Sequence, residues 1–176
     1  MPAYHKRADL TTAAFDEEGF YRIGDAVKFA DADDPAKGIV FDGRVAEDFK
    51  LTTGTWVHVG AIRVKLIAAA DPLVQDAVIT GHGRSEIGAL VFLSPAAKNV
   101  DAAELRARLQ GALSKLAQEG GSSTHPRRLL VMTEPPSIDA NEITDKGYMN
   151  QRAVLERRAL LVEKLYAGAD GVITAG

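Results

Sequence analysis

The sequence predicts a small α+β fold, a mainly antiparallel sheet packed with helices and preceded by a β-rich segment. Three observations carry this expectation. β-prone runs recur around glycine-containing turns at 49–57 and again at 73–94. A stripe of Leu105, Leu109, Ala112, Leu113 and Leu116 at helical spacing follows Asp101-Ala-Ala-Glu104, a capping-box sequence. The order hairpin, helix, two strands, helix, strand, helix suits one sheet covered by helices.

Taken in order, residues 1–17 contain Asp9–Phe15, a candidate short helix. Phe20–Tyr21 is aromatic and strand-like and leads to Gly24–Asp25. Asp31–Lys37, with three Asp and a Pro, is turn chemistry before the apolar run Ile39–Phe41. Tyr21–Phe41 therefore reads as a strand, a turn and a returning strand. Asp25 stands beside a glycine at a strand end. There a carboxylate either caps a turn or accepts hydrogen bonds from a sugar diol. Arg44 follows the second strand with a planar fork of donors for phosphate or carboxylate.

Phe49–Leu51, the turn Thr52-Thr53-Gly54-Thr55 and Trp56–Val57 form a hairpin signature. Val59–Ala70 is helix-like, with Ile62, Leu66 and Ala69 on one face, and Asp71–Pro72 stops it. Leu73–Thr80 and Gly88–Ser94 are apolar runs joined by a glycine-rich turn, and the leucine-striped helix follows. Arg127–Thr133 reads as a further strand and Glu134–Asn141 as a loop. Asn150 caps a last helix reaching about Tyr166, buried along Val154, Leu155, Leu161, Val162 and Leu165. Ala167–Gly176 is expected to be a frayed tail.

Composition excludes several functions. Of 176 residues 46% are hydrophobic, enough for a core and too many for a disordered chain. A net charge of −3 argues against a general nucleic-acid binder. The absence of cysteine excludes disulfides, thiolate zinc sites and thiol catalysis. His5, His58, His82 and His125 lack metal-ligand spacing and read as surface or loop residues, so no metal site is expected. No apolar run reaches spanning length and no signal core is present, so a cytoplasmic protein without membrane partners is expected.

The ordered motifs G-F-Y-R-x-G-D at 19–25, D-G-R at 42–44 and F-K-L-x-x-G-x-W-V at 49–57 resemble the adenylate-forming acyl-CoA synthetases. With the late segment Asn141–Leu155, they look most like the feruloyl-CoA synthetase type. The resemblance covers nearly the whole chain. It implies the mobile C-terminal domain of such an enzyme over 46–176, preceded over 1–45 by the end of the large N-terminal domain and the hinge. The Thr/Ser/Gly-rich phosphate loop of the large domain does not occur in this sequence. The partner implied is therefore a missing N-terminal adenylation domain. Residues 1–45 are then expected to be partly disordered or paired with another copy.

What the family implies is a two-step reaction. A small aromatic carboxylate and ATP, carried with Mg²⁺, give an acyl-adenylate and pyrophosphate. CoA then displaces AMP, and the small domain rotates between the steps. The family's ribose-binding aspartate falls on Asp25, and its nucleotide-contacting arginine on Arg44. Its hinge residue falls on Ala46, a departure from the usual Asp or Lys, with Glu47 or Asp48 as neighbours that can share the role. Lys50, Gly54 and Trp56 fall on the face used for thiolation, or are a surface lysine, a turn glycine and its neighbour. The adenylation lysine position falls on Tyr148, and the nearby lysine is Lys146, either a point charge for the α-phosphate or a solvated loop residue. Such a fragment would be inactive alone. The alternative is a stand-alone nucleotide-binding or regulatory module derived from such a ligase.

Overall fold

The computed structural model describes residues 4–121 and 123–175. The chain divides into two compact units, Met1–Ala46 and Glu47–Gly176.

The first unit holds a short helix α1 (Ala8–Ala13) and an antiparallel ribbon of β1 (Asp25–Phe29) and β2 (Ile39–Arg44). The strand therefore starts four residues later than the aromatic pair suggested. Phe20 is exposed, and Tyr21 pairs with the chain through an isolated bridge to Phe15, with their rings edge to face, and its hydroxyl meets that of Tyr4 at 3.2 Å. Gly24, at φ +80, turns the chain into β1. Asp31 and Asp34 build the connection, accepting from Asp33 N–H and Ala36 N–H. In the ribbon, Val27 lies opposite Phe41 and Phe29 opposite Ile39. Paired residues share a face, and all four of these apolar side chains are exposed. Between α1 and β1, residues 14–24 run as turns and irregular backbone with a single bridge.

The second unit is the small α+β domain that the sequence predicts. A short hairpin of β3 (Phe49–Lys50) and β4 (Trp56–Val57) leads into α2 (Val59–Ala69). The main sheet has the order β5-β6-β7-β8. Its strands are β5 (Val74–Thr80), β6 (Gly88–Leu93), β7 (Arg128–Val131) and β8 (Ile173–Thr174). The pairs β5–β6 and β7–β8 are antiparallel, and β6–β7 is parallel through the crossover helix α3 (Ala102–Glu119). Helices α4 (Gln151–Arg157) and α5 (Ala159–Ala167) follow β7.

Both faces of this sheet are covered, which is why its strands read as nearly continuous apolar runs. On one face Val59, Ile62 and Leu66 of α2 and Leu109, Leu113 and Leu116 of α3 pack with Ala77, Ile79, Ala89, Val91 and Leu129. On the other, Val154 and Leu165 pack with Val78, Leu90, Phe92 and Met132. Arg63 adds a bidentate bond to Asp76 at 2.7 Å, tying α2 to β5. Asp101 caps α3 by accepting from Ala103 N–H (2.8 Å) and Glu104 N–H (3.4 Å). The capping box is half realised, because the Glu104 carboxylate pairs with Arg108 instead.

Three expectations are corrected. The last helix is two helices, broken at Arg158, whose backbone leaves the helical region at φ −102, ψ 27 while its guanidinium turns to Glu142. The tail is not frayed. Val172 and Ile173 are buried, Ile173 pairs with Leu129, and Arg106 donates to Val172 O. Gly176, the last residue of that stretch, lies outside the described residues. His125 keeps the loop reading but not the surface one, because it is buried; burial, then the neighbouring Arg127 charge, lowers its pKa. Among the described residues, no helix is long and apolar enough to cross a membrane.

Close approach at β6 gives a direct test of this packing. A Cβ on Gly88 would lie 2.7 Å from Leu165 Cδ2 and 3.1 Å from Tyr166 Oη. Gly88→Ala is therefore expected to destabilise by about 1–3 kcal/mol through overpacking, read by urea unfolding.

Candidate functional site

The first unit brings Asp25 and Arg44 directly opposite one another, at the end of the β1–β2 ribbon. Residues so placed have Cβ atoms roughly 4.5–5.5 Å apart. Both are exposed, and neither has an ion-pair partner among the described residues. A register irregularity between Asp25 and Val27 separates this pair from the regular ladder. A carboxylate and a guanidinium side by side, both open to solvent, offer acceptors for a diol and donors for a phosphate within one small ligand's reach. Ala46, two residues on, is exposed and ends the first compact unit.

The neighbouring residue Asp48 is committed to the second unit. Its side chain is 10% exposed; it accepts from Val59 N–H at the start of α2 (3.0 Å) and meets His58 Nδ1 at 2.9 Å. His58 provides no side-chain cap, so Asp48 satisfies that helix end from outside.

In the β3–β4 hairpin, Lys50 and Trp56 are cross-strand partners. The ammonium lies 5.0 Å from the Trp56 ring centre, and Trp56 is 54% exposed. Gly54 takes φ +84, which the tight turn requires, with open space where a side chain would be. The hairpin is tied down where Thr52 N–H donates to Arg84 O at 2.8 Å. Arg84 itself pairs with Glu163 and stacks on Tyr166 at 4.8 Å, while Arg128 flanks the same ring at 5.6 Å. Burial pushes the Tyr166 hydroxyl up to about 12, and it donates to Glu86 O at 3.2 Å.

Lys146 stands at the tip of a separate miniature hairpin. Ile143 and Met149 bridge, Thr144 N–H donates to Tyr148 O (2.8 Å), and Gly147 N–H donates to Thr144 O (2.9 Å). The Thr144 hydroxyl accepts from Tyr148 N–H at 3.1 Å, and Gly147 at φ +79 closes the turn. Lys146 and Tyr148 are both exposed, and Lys146 has no ion-pair partner among the described residues. Immediately before the bridge residue Ile143, Glu142 is fully buried, which sequence reasoning missed. It accepts from Arg158 Nε (2.8 Å) and Nη2 (2.9 Å), Arg157 Nη1 (3.1 Å) and Ser137 N–H (2.7 Å). The Arg158 hydrogen bond is the main cause holding the Glu142 carboxyl down to about 2. The available signal was Arg158 itself, an arginine set on the apolar face between Val154 and Leu165. Among the described residues, no group of His, Asp and Glu could hold a metal ion.

The fold is that of the small α+β C-terminal domain of adenylate-forming enzymes. The chain belongs to the AMP-binding enzyme C-terminal domain family, whose model matches residues 51–170. It is 30% identical over 172 residues to a carboxylic acid reductase of Segniliparus rugosus, a match covering 95% of this chain and 14% of that protein. The A-PCP didomain of a carboxylic acid reductase from the same organism, solved with AMP, aligns at a TM-score of 0.74 and 32% identity. That alignment covers 95% of this chain and 23% of the didomain. An anthranilate CoA ligase with bound anthranoyl-AMP aligns at a TM-score of 0.65 and 23% identity, over 93% of this chain and 28% of that one, and shares the fold. The superfamily inferred from the motifs is therefore shown, while the relatives at 30% identity and above are carboxylic acid reductases in place of the feruloyl-CoA synthetase type.

Proposed function

We propose that this chain is the C-terminal part of an ATP-dependent carboxylate-activating enzyme. A carboxylate oxygen attacks the α-phosphorus of Mg²⁺-bound ATP, pyrophosphate leaves, and the acyl-adenylate is then attacked by a thiol with release of AMP. The observation that carries this reading is the open Asp25–Arg44 pair, in a chain about one third identical to an adenylating domain solved with AMP. Asp25 accepts from the ribose hydroxyls, and Arg44 donates to ribose and phosphate oxygens. Lys146 supplies a positive charge at the α-phosphate as negative charge builds there. Ala46 is the pivot, and Lys50, Gly54 and Trp56 form the face presented to the thiol.

The partner is the remaining adenylation domain of a longer polypeptide. The bare apolar face of Val27, Phe29, Ile39 and Phe41 supports this, since a lone two-stranded ribbon is marginal in water. The acyl group is a small carboxylate, aromatic by the motif resemblance. The thiol is a pantetheine thiol. The likeness to the didomain favours one borne on a carrier module, and the motif resemblance favours free CoA.

The test is ATP–pyrophosphate exchange by the full-length polypeptide that carries this chain, with aromatic carboxylates. Asp25→Ala is expected to raise the KM for ATP about 10- to 100-fold, the value of a hydrogen bond to a charged group. An unchanged KM would remove Asp25 from the nucleotide site. Tight AMP binding by this chain alone would instead favour a stand-alone nucleotide-binding module.

A further inference from the structure

We infer that Glu142, clamped by Arg158 and Arg157, is a positioning residue that fixes the hairpin presenting Lys146. This rests on the reading of Lys146 as the adenylation lysine. Every bonding group of Glu142 is spent on holding this loop. Its N–H donates to Ser137 O (2.9 Å), its C=O accepts from Asn150 N–H (2.9 Å), and its carboxylate takes the three charged bonds and Ser137 N–H described above. The Asn150 bond closes the base of the hairpin where α4 begins, and Asn150 Oδ1 caps that helix through Ala153 N–H at 3.3 Å.

Arg158 completes the clamp from the other side. It donates to Glu134 O (3.1 Å) and Pro135 O (2.9 Å) and lies 5.1 Å over the Phe92 ring of β6. The loop from Glu134 to Ser137, the hairpin base and the sheet are thus joined through two buried side chains. A flexible lysine on an untethered loop would meet a phosphate only in a small fraction of conformations. A lysine on a tip whose base is fixed at both ends starts close to one, which is preorganisation. The break between α4 and α5 at Arg158 is what aims the guanidinium at Glu142 rather than along the helix.

The experiment compares Glu142→Gln and Lys146→Ala in the full-length polypeptide. It measures hydrogen exchange of the 143–149 amides, ATP–pyrophosphate exchange, and thiol transfer from supplied acyl-adenylate. Glu142→Gln is expected to accelerate hydrogen exchange in 143–149 with β5 and β6 unchanged. It should also lower pyrophosphate exchange about 10- to 100-fold while leaving thiol transfer intact. If Glu142→Gln does not fold, Arg157→Leu serves, because it leaves Arg158 and Ser137 N–H on the carboxylate. Unchanged exchange in 143–149, or an equal fall in both half-reactions, would overturn the inference. If Lys146→Ala leaves pyrophosphate exchange intact, the role of Lys146 fails, and the clamp is judged by the hydrogen exchange of 143–149 alone.

Discussion

Lys146→Ala in the full-length polypeptide is expected to lower ATP–pyrophosphate exchange by about 10²–10³-fold, the range for removing one preorganised donor to a developing charge. Thiol transfer from supplied acyl-adenylate should persist, because the face proposed for that step is built on Lys50, Gly54 and Trp56 instead. The physical basis is specific. Lys146 sits exposed on a hydrogen-bonded tip, without an ion-pair partner among the described residues, so its charge is not spent inside the fold. Tyr148, at the position where the resemblance sets the lysine, carries no cation and cannot replace it. A Lys146→Arg variant keeps the charge and should recover part of the activity. Loss of both half-reactions together would mean that the substitution acts through folding.

Replacing Arg158 with methionine is expected to cost about 3–5 kcal/mol of stability, because it leaves the buried Glu142 carboxylate short of its main counter-charge. The double replacement Glu142→Leu with Arg158→Met should recover much of this loss, since a buried pair is often no better than apolar residues of similar size. The pH dependence has a definite sign. Glu142 is held down from 4.5 to about 2, so its stabilisation is fully present above 4.5 and is lost as pH falls toward 2. Urea unfolding between pH 7 and 2 should show that acid limb in the native chain and a smaller one in Arg158→Met. Equal acid sensitivity in both would contradict the assignment.

The parts of the fold that were legible in the sequence are those set by local pattern. The Thr52–Thr55 turn, the stripe from Leu105 to Leu116 and the run Leu73–Thr80 each carry their own periodicity or turn residues. What escaped is decided by tertiary partners. Ile173 and Thr174 are too short to show a period, and they become a strand only because β7 offers an open edge. Arg158 looks like a surface charge until Glu142, sixteen residues earlier, is seen buried against it. His125 follows a Gly/Ser-rich stretch and reads as loop, yet it lies buried just before β7. For the site, pattern and resemblance selected Asp25 and Arg44 separately, and strand register then paired them. The anchoring of the Lys50–Trp56 hairpin through Arg84 depends on a single backbone bond that no motif encodes.

The most direct measurement compares acyl-adenylate formation by the full-length polypeptide with that of the same polypeptide ending after residue 46. The expected result is pyrophosphate release and acyl-adenylate from the intact protein with an aromatic carboxylate, and a loss of about 10²-fold or more in the truncated one, since the charge from Lys146 is gone. Equal adenylate formation by both would contradict the assignment of this domain to adenylation.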